Sequence, residues 1–126
     1  MKIGDIGEVV TVVTPDKLAK VWGSGALEVF ATPSMIGYME KACVIAIEQG
    51  LEPGFSTVGA AVNIRHLAPS TLNKSIHARG ELIEIDGRRL VFKVSAWDES
   101  GLIGEGIHER FIINNEKFLA KANGRK

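Results

Sequence analysis

A single cysteine, Cys43, rules out an intrachain disulfide framework and any zinc site built from several thiolates. A chain of that kind suits a reducing compartment, and the cytoplasm is the expected location. Charge of neither sign is in excess. Fifteen Lys and Arg stand against fifteen Asp and Glu, so no net field draws the chain to DNA, RNA or an anionic membrane. No apolar run approaches the ~20 residues of a membrane-spanning helix. The opening Met1-Lys2-Ile3-Gly4-Asp5 also breaks the apolar stretch that a secretory signal needs. Neither nucleic acid nor membrane is expected as a partner.

What is present suffices for one folded domain spanning residues 1 to 126. Hydrophobic residues make up 45% and charged residues 24%, enough apolar side chain for a core and too little charge excess for disorder. The mean hydropathy of +0.11 is high for so small a domain. Part of the apolar surface is therefore expected to be covered by another copy, in a homodimer or a dimer of dimers.

Residues 6 to 14 are rich in β-branched side chains and stop at Pro15, which predicts a first strand. A short helical turn over Pro15 to Lys20 and a glycine-bearing loop from Trp22 to Leu27 follow, the loop being a candidate rim or lid of a pocket. The strongest helix signals span Thr32 to Gly50. Thr32 reads as the N-cap, Pro33 as the first helical residue and Gly50 as the stop, which predicts a helix over 33 to 49. Met35, Ile36, Met39, Ala42, Cys43, Ala46 and Ile47 fall on one broad arc, and Glu40 lies at its edge where a charge is costly.

Beyond Glu52-Pro53-Gly54 the period becomes two. Val58, Ala60, Val62, Ile64 and His66 share one face of a strand, and Gly59, Ala61, Asn63 and Arg65 the other. A strand over about 75 to 85, a tight turn at Asp86-Gly87 and a return through Leu90, Phe92, Val94 and Ala96 make a hairpin. The last strand runs from Leu102 to Asn114, and the polar tail after Phe118 is expected to fray. Five long strands with short turns and one early apolar helix describe an α+β hotdog fold, a long antiparallel sheet wrapped around one main helix. A split β-α-β or a cystatin-like layout fits the same pattern less well.

Three polar residues sit where polarity is costly: Glu40 on the helix, His66 on the apolar strand face, and Thr32, whose wheel position points into the apolar arc. Together they suit hydrolysis of a carbonyl derivative. That chemistry needs a carboxylate as base or nucleophile, an imidazole to move protons, and a donor for the developing oxyanion. Thr32 and Glu40 are eight residues apart, ~12 Å along a helix, so a substrate between them or assembly across a dimer interface must bring them together. Other candidates fall away. The glycines around Gly101 to Gly106 precede no helix and match neither a dinucleotide fingerprint nor a P-loop. His108-Glu109-Arg110 alternates across a strand and does not assemble a metal site, and Cys43 reads as packing.

The segment Glu28 to Glu40, followed by Thr57-Val58-Gly59, Arg65-His66-Leu67-Ala68-Pro69, Asp86 to Phe92 and Gly106 to Phe111, resembles the hotdog-fold acyl-CoA thioesterases of the fluoroacetyl-CoA thioesterase type. The resemblance runs from about Val29 to Phe118. It implies a catalytic set of Thr32, Glu40 and His66, with Gly59 presenting a backbone group near the acyl part and Arg110 helping to hold the site. It implies no metal and no bound cofactor, since coenzyme A arrives as part of the substrate. Arg65, Lys74, Arg88 and Arg89 are available for the CoA phosphates. Upstream of Val29 the chain departs from the fluoroacyl-specific members, which are longer there and carry a phenylalanine-bearing lid. That departure implies a generic short or medium acyl-CoA as substrate. A non-catalytic acyl-CoA binding or sensing module is the alternative. A hydratase on the same fold would be expected to hold its acid and histidine on one helix or loop, and here Glu40 and His66 lie on different elements.

Overall fold

A computed structural model describes residues 1–125. The chain forms β1 (Ile6–Val12), α1 (Ala19–Trp22), α2 (Thr32–Ile47), β2 (Phe55–His66), β3 (Ser75–Asp86), β4 (Arg89–Asp98), β5 (Gly101–Asn114) and α3 (Asn115–Asn123). Single 3-10 turns at Pro15–Lys17 and Glu48–Gly50 flank the first and second helices. The strands make one antiparallel sheet in the order β1-β3-β4-β5-β2, and α2 lies across its inner face. No helix among the described residues is long and apolar enough to cross a membrane.

The core is the seam between α2 and the sheet. Met35, Met39, Cys43 and Ile47, spaced one turn apart, meet Leu82, Leu90, Phe92, Val94 and Ile103 with almost no exposure. Burial of each such side chain is worth roughly 1.5–3 kcal/mol, which makes this contact the main stabilising one in the chain. Two glycines let the helix come close. A Cβ on Gly7 would collide with the Ala42 carbonyl, and one on Gly80 would stand 2.6 Å from Cys43 Sγ and 3.0 Å from its backbone nitrogen.

The elements fall close to their sequence positions, with three corrections. The N-cap of α2 is Ala31, Thr32 is the first helical residue, and no side chain caps the end. The tail does not fray after Phe118 but forms α3, whose first turn is capped by the Asn114 side chain accepting from the Lys117 N–H at 3.0 Å.

The third correction concerns β2. A bulge between Gly59 and Ala61 leaves Ala60 as an extra residue, so the alternation changes phase there. Gly59 pairs with Arg110, Val62 with His108 and His66 with Gly104. Directly paired residues share a face, which puts Gly59 and His66 on the same side of the strand rather than on opposite sides. Nor is there a buried apolar face here. Residues 59 to 63 are all exposed, because β2 is the outer edge of the sheet and largely lies beyond the cover of α2.

Gly80→Ala forces α2 away from the sheet at its tightest crossing. Urea unfolding of this variant is expected to show a loss of about 1–3 kcal/mol, the usual cost of overpacking; unchanged stability would mean the helix rides more loosely than the contact implies.

Candidate active site

The sequence brings its polar residues to two places, and within one chain they are separate. The first lies at the N-terminus of α2. Because Thr32 is not spent on capping, its hydroxyl is free, and Oγ1 stands 2.8 Å from His66 Nδ1 at the end of β2. The pair lines a pocket of about 410 Å³ whose rim is the loop from Ser24 to Leu27 and whose walls include Val29, Phe30, Leu67 and Pro69. His66 is half-buried, and burial pushes its pKa below the usual 6.5, with the Ala68 backbone acting the other way. It is therefore neutral near pH 7. Its Nε2 is buried and has no hydrogen-bond partner among the described residues.

The rim loop is tied down at its start. Trp22 Nε1 donates to Ser34 Oγ at 2.9 Å, and Ser34 Oγ in turn donates to the Lys17 carbonyl at 3.1 Å. The loop is thus anchored to the same end of α2 that presents Thr32.

The second place lies two turns further along α2. Glu40 is not buried as its position on the apolar arc suggested; its side chain is 39% exposed, and its Oε2 faces Arg110 Nη1 at 3.5 Å. Arg110 itself is buried. Its Nε donates to Thr57 Oγ1 and its Nη2 to the Thr57 carbonyl, each at 2.9 Å, and its Nη1 meets His108 Nε2 at 3.1 Å. Every edge of the guanidinium is used, which is the condition for burying it.

His108 completes this cluster, and the sequence reading passed over it. Its pKa is lowered, chiefly by burial and further by the Arg110 cation, so the ring is neutral. Since the guanidinium can only donate, Nε2 accepts and Nδ1–H donates to the Ala61 carbonyl at 2.8 Å, just past the bulge. The signal was available: His108 and Arg110 are two apart and share one face of β5, while Glu109 between them faces away and pairs with Arg89 at 2.6 Å.

Gly59 sits against both Glu40 and this pair. A Cβ there would lie 3.1 Å from Glu40 Oε2, 3.3 Å from His108 Cε1 and 3.4 Å from Arg110 Nη1, so the missing side chain leaves room for the carboxylate. Cys43 is a packing residue: burial drives its thiol up to about 12, too high for a thiolate. Arg89, expected to be free for a phosphate, is held by Glu84 and Glu109, each at 2.6 Å.

Comparison with known proteins bears on this arrangement. The family model described as the fluoroacetyl-CoA-specific thioesterase, FlK, matches residues 13–116. A curated fluoroacetyl-CoA thioesterase from Streptantibioticus cattleyicolor is 46% identical over 94 residues, 75% of this chain and 68% of the relative. The solved structure of the fluoroacetyl-CoA thioesterase FlK aligns with a TM-score of 0.93 at 37% identity, covering 100% of this chain and 98% of that one. A hot-dog-like protein from Thermanaerovibrio acidaminovorans aligns at 0.87 with 22% identity over 100% and 96% of the two chains, which identifies the fold alone. The sheet curled about α2 is the hotdog fold that the strand pattern predicted.

Arg110→Leu leaves the Thr57 carbonyl, His108 Nε2 and Glu40 Oε2 without the guanidinium that pairs them. Denaturant unfolding is expected to show a loss of about 2 kcal/mol or more. Arg110→Lys should recover little of it, because an ammonium cannot reproduce the planar fork; full recovery would mean that charge alone matters at this position.

Proposed function

The chain belongs to the fluoroacetyl-CoA-specific thioesterase family and is an acyl-CoA thioester hydrolase, and from that premise we propose that it cleaves a small acyl-CoA at a site shared between two protomers. The observation that carries the reading is the Thr32 hydroxyl held 2.8 Å from a neutral His66, at the mouth of a pocket of about 410 Å³, while Glu40 is oriented elsewhere by Arg110.

Glu40 supplies the carboxylate, as base toward a water or as nucleophile on the thioester carbon. Thr32 offers its hydroxyl to the carbonyl oxygen as negative charge develops there, and His66 moves the proton to the departing sulfur. The C–S bond breaks and CoA departs; attack by the water gives the free acid directly, whereas attack by Glu40 leaves an acyl–Glu40 anhydride that water then hydrolyses to the free acid and the restored carboxylate. Gly59 gives the carboxylate and the acyl group room, and Arg110 fixes the carboxylate's direction. The reaction as proposed needs no bound cofactor, because coenzyme A is carried by the substrate, and the cytoplasm is its setting.

Two features support a homodimer. An α2 of this geometry keeps Thr32 and Glu40 ~12 Å apart, so one helix cannot bring both to one carbonyl. At the same time β2 leaves a 12-residue strand unpaired on one side, rich in small residues at Gly59-Ala60-Ala61 and exposed from 59 to 63. Antiparallel pairing of β2 with its own copy would bring His66 and Thr32 of one protomer toward Gly59 and Glu40 of its partner. Fluoroacetyl selectivity is not part of the proposal. The rim between Gly23 and Leu27 carries Ser24, Gly25 and Ala26, with no phenylalanine before Phe30, and such a rim suits short or medium acyl groups in general.

Free-thiol release from a panel running from acetyl- and fluoroacetyl-CoA to medium-chain and aryl thioesters tests the activity. Glu40→Gln is expected to lower kcat by at least about a hundredfold with the fold retained. Protonation of His66 disables the site, and burial lowers its pKa below 6.5, so the acid limb of kcat/KM should have its midpoint below pH 6.5, with activity held at neutrality and lost as the pH falls through that pKa. Acyl-CoA binding with no thiol released by the wild type would make the protein a sensor or carrier instead.

A mixing experiment tests the shared site. Thr32→Ala and Glu40→Gln are each inactive, but a mixed dimer keeps one intact pairing of Thr32 with Glu40. Random co-refolding of equal amounts should return roughly a quarter of wild-type activity, half the dimers being mixed and each having one good site of two. No recovery would mean that each chain builds its own site.

A further inference from the structure

Thr32 and His66 stand on different elements, thirty-four residues apart, so the 2.8 Å between them is set by the two segments that carry them. Beyond His66 the chain leaves β2, and the Leu67 and Ala68 amides both donate to the Ile103 carbonyl on β5, at 2.6 and 3.3 Å. Pro69 has no amide hydrogen to give. The next hold is Ser70, whose carbonyl accepts from the Phe30 N–H at 2.8 Å, two residues before Thr32. An antiparallel bridge between Val29 and Thr71 extends the same contact.

Ser70 has a second bond, and it leads away from the pocket. The residue is 1% exposed, and its Oγ donates to Asp98 Oδ2 at 2.7 Å. Asp98 closes β4, and its Oδ1 accepts from the Ser100 N–H at 2.8 Å in the turn to β5. Burial acts to raise its pKa, yet the Ser70 hydroxyl, the Ser100 and Gly101 amides and the Lys74 cation together hold the carboxyl below its ordinary value. It is therefore ionised near neutrality, and the bond from Ser70 is charge-assisted. Asp98 itself lines a separate cleft of about 150 Å³, which shares only Ala68 and Pro69 with the pocket beside His66.

We propose that Ser70, oriented by Asp98, is a positioning residue of the site: it sets the spacing between the end of β2 and the start of α2, and with it the alignment of the Thr32 hydroxyl against the His66 ring. Both segments it joins are walls of the pocket, Val29 and Phe30 on one side and Leu67 to Pro69 on the other. Each segment leads within two residues to one member of the pair. A buried hydrogen bond of this kind adds only modestly to folding, whereas a shift of about 1 Å in a reacting group can cost about a hundredfold in rate. The effect on rate rests on the thioesterase reading; the effect on the pair itself does not.

In the full chain, Ser70→Ala is expected to lower kcat about tenfold with KM changed less than about twofold, and Asp98→Asn, which keeps an acceptor but not the charge, should act the same way to a smaller degree. A second readout needs no turnover. The chain has three histidines, so the His66 ring signals can be assigned in NMR spectra against His66→Gln and followed with pH. Burial, the larger influence, holds the His66 pKa below 6.5, and a loosened wall should let the midpoint rise toward 6.5 in Ser70→Ala. Ile47→Val, a core truncation at the opposite end of α2, also costs stability and should move neither readout. The assignment is overturned if kcat or the His66 midpoint is unchanged in Ser70→Ala, or if Ile47→Val shifts them as far. Should Ser70→Ala not fold, Asp98→Asn carries the same comparison. If the wild type cleaves no thioester, the thioesterase reading fails and the His66 midpoint alone decides: a rise in Ser70→Ala but not in Ile47→Val upholds the role of Ser70, and no rise rejects it.

Discussion

A guanidinium that is almost out of reach of water sits where α2, β2 and β5 meet, and much of the site depends on it. Desolvating Arg110 is tolerable only because every nitrogen has a partner, and those partners lie on all three elements: Thr57 on β2, His108 on β5 and Glu40 on α2. The requirement runs in both directions. Arg110 cannot be satisfied unless the edge strand is in register, and the edge strand is held in register partly by Arg110. Burial is the main reason His108 is neutral, and its tautomer follows from the same cation, as does the hold on the Ala61 carbonyl beside the bulge. One buried charge thus fixes the position of a carboxylate, the shape of a strand and the proton on a histidine.

Much of this was legible in the sequence, and the parts that were not have physical causes. The α2 seam announced itself through Met35, Met39, Cys43 and Ile47, because apolar side chains one turn apart have few other uses. Glu40 stood out as an acid in the wrong place, but its partner is seventy residues away on another element, and periodicity along one element carries no information about that. Thr32 was misread for a related reason. A threonine before Pro33 is a good cap by local rules, yet its hydroxyl is used by His66, thirty-four residues later. The bulge at Ala60 was invisible because Gly59, Ala60 and Ala61 are all small, so an extra residue among them leaves no mark on the hydrophobic pattern. The polarity of the tail suggests fraying, yet Glu116, Lys117, Leu119, Ala120 and Lys121 are all good helix formers and Asn114 is a good cap.

The bulge matters to the candidate site more than its size suggests. Without it, Gly59 and His66 would lie on opposite faces of β2, and the residue that makes room for Glu40 could not share a surface with the residue that binds Thr32. With it, the two half-sites stand on one face of one strand, six paired steps apart, about 20 Å. A rigid helix and a rigid strand therefore hold the acid and the histidine apart by amounts that no side-chain rotation closes.

Separation of that kind is informative, because nothing about packing the core required it. Thr32 and His66 stand at one end of the inner face and Glu40 and Gly59 at the other, and each pair lacks the chemistry the other supplies. In the proposed dimer a two-fold axis beside β2, level with the stretch between Gly59 and His66, would exchange the two ends, so each half-site would meet its complement once and the pair of chains would hold two whole sites. The same operation would cover the exposed stretch from 59 to 63 and satisfy the open edge of the sheet, a driving force for association independent of catalysis. On the proposed reading, a chain too small to enclose a substrate by itself obtains a closed site by pairing, and the apolar excess seen in its composition is what the pairing buries.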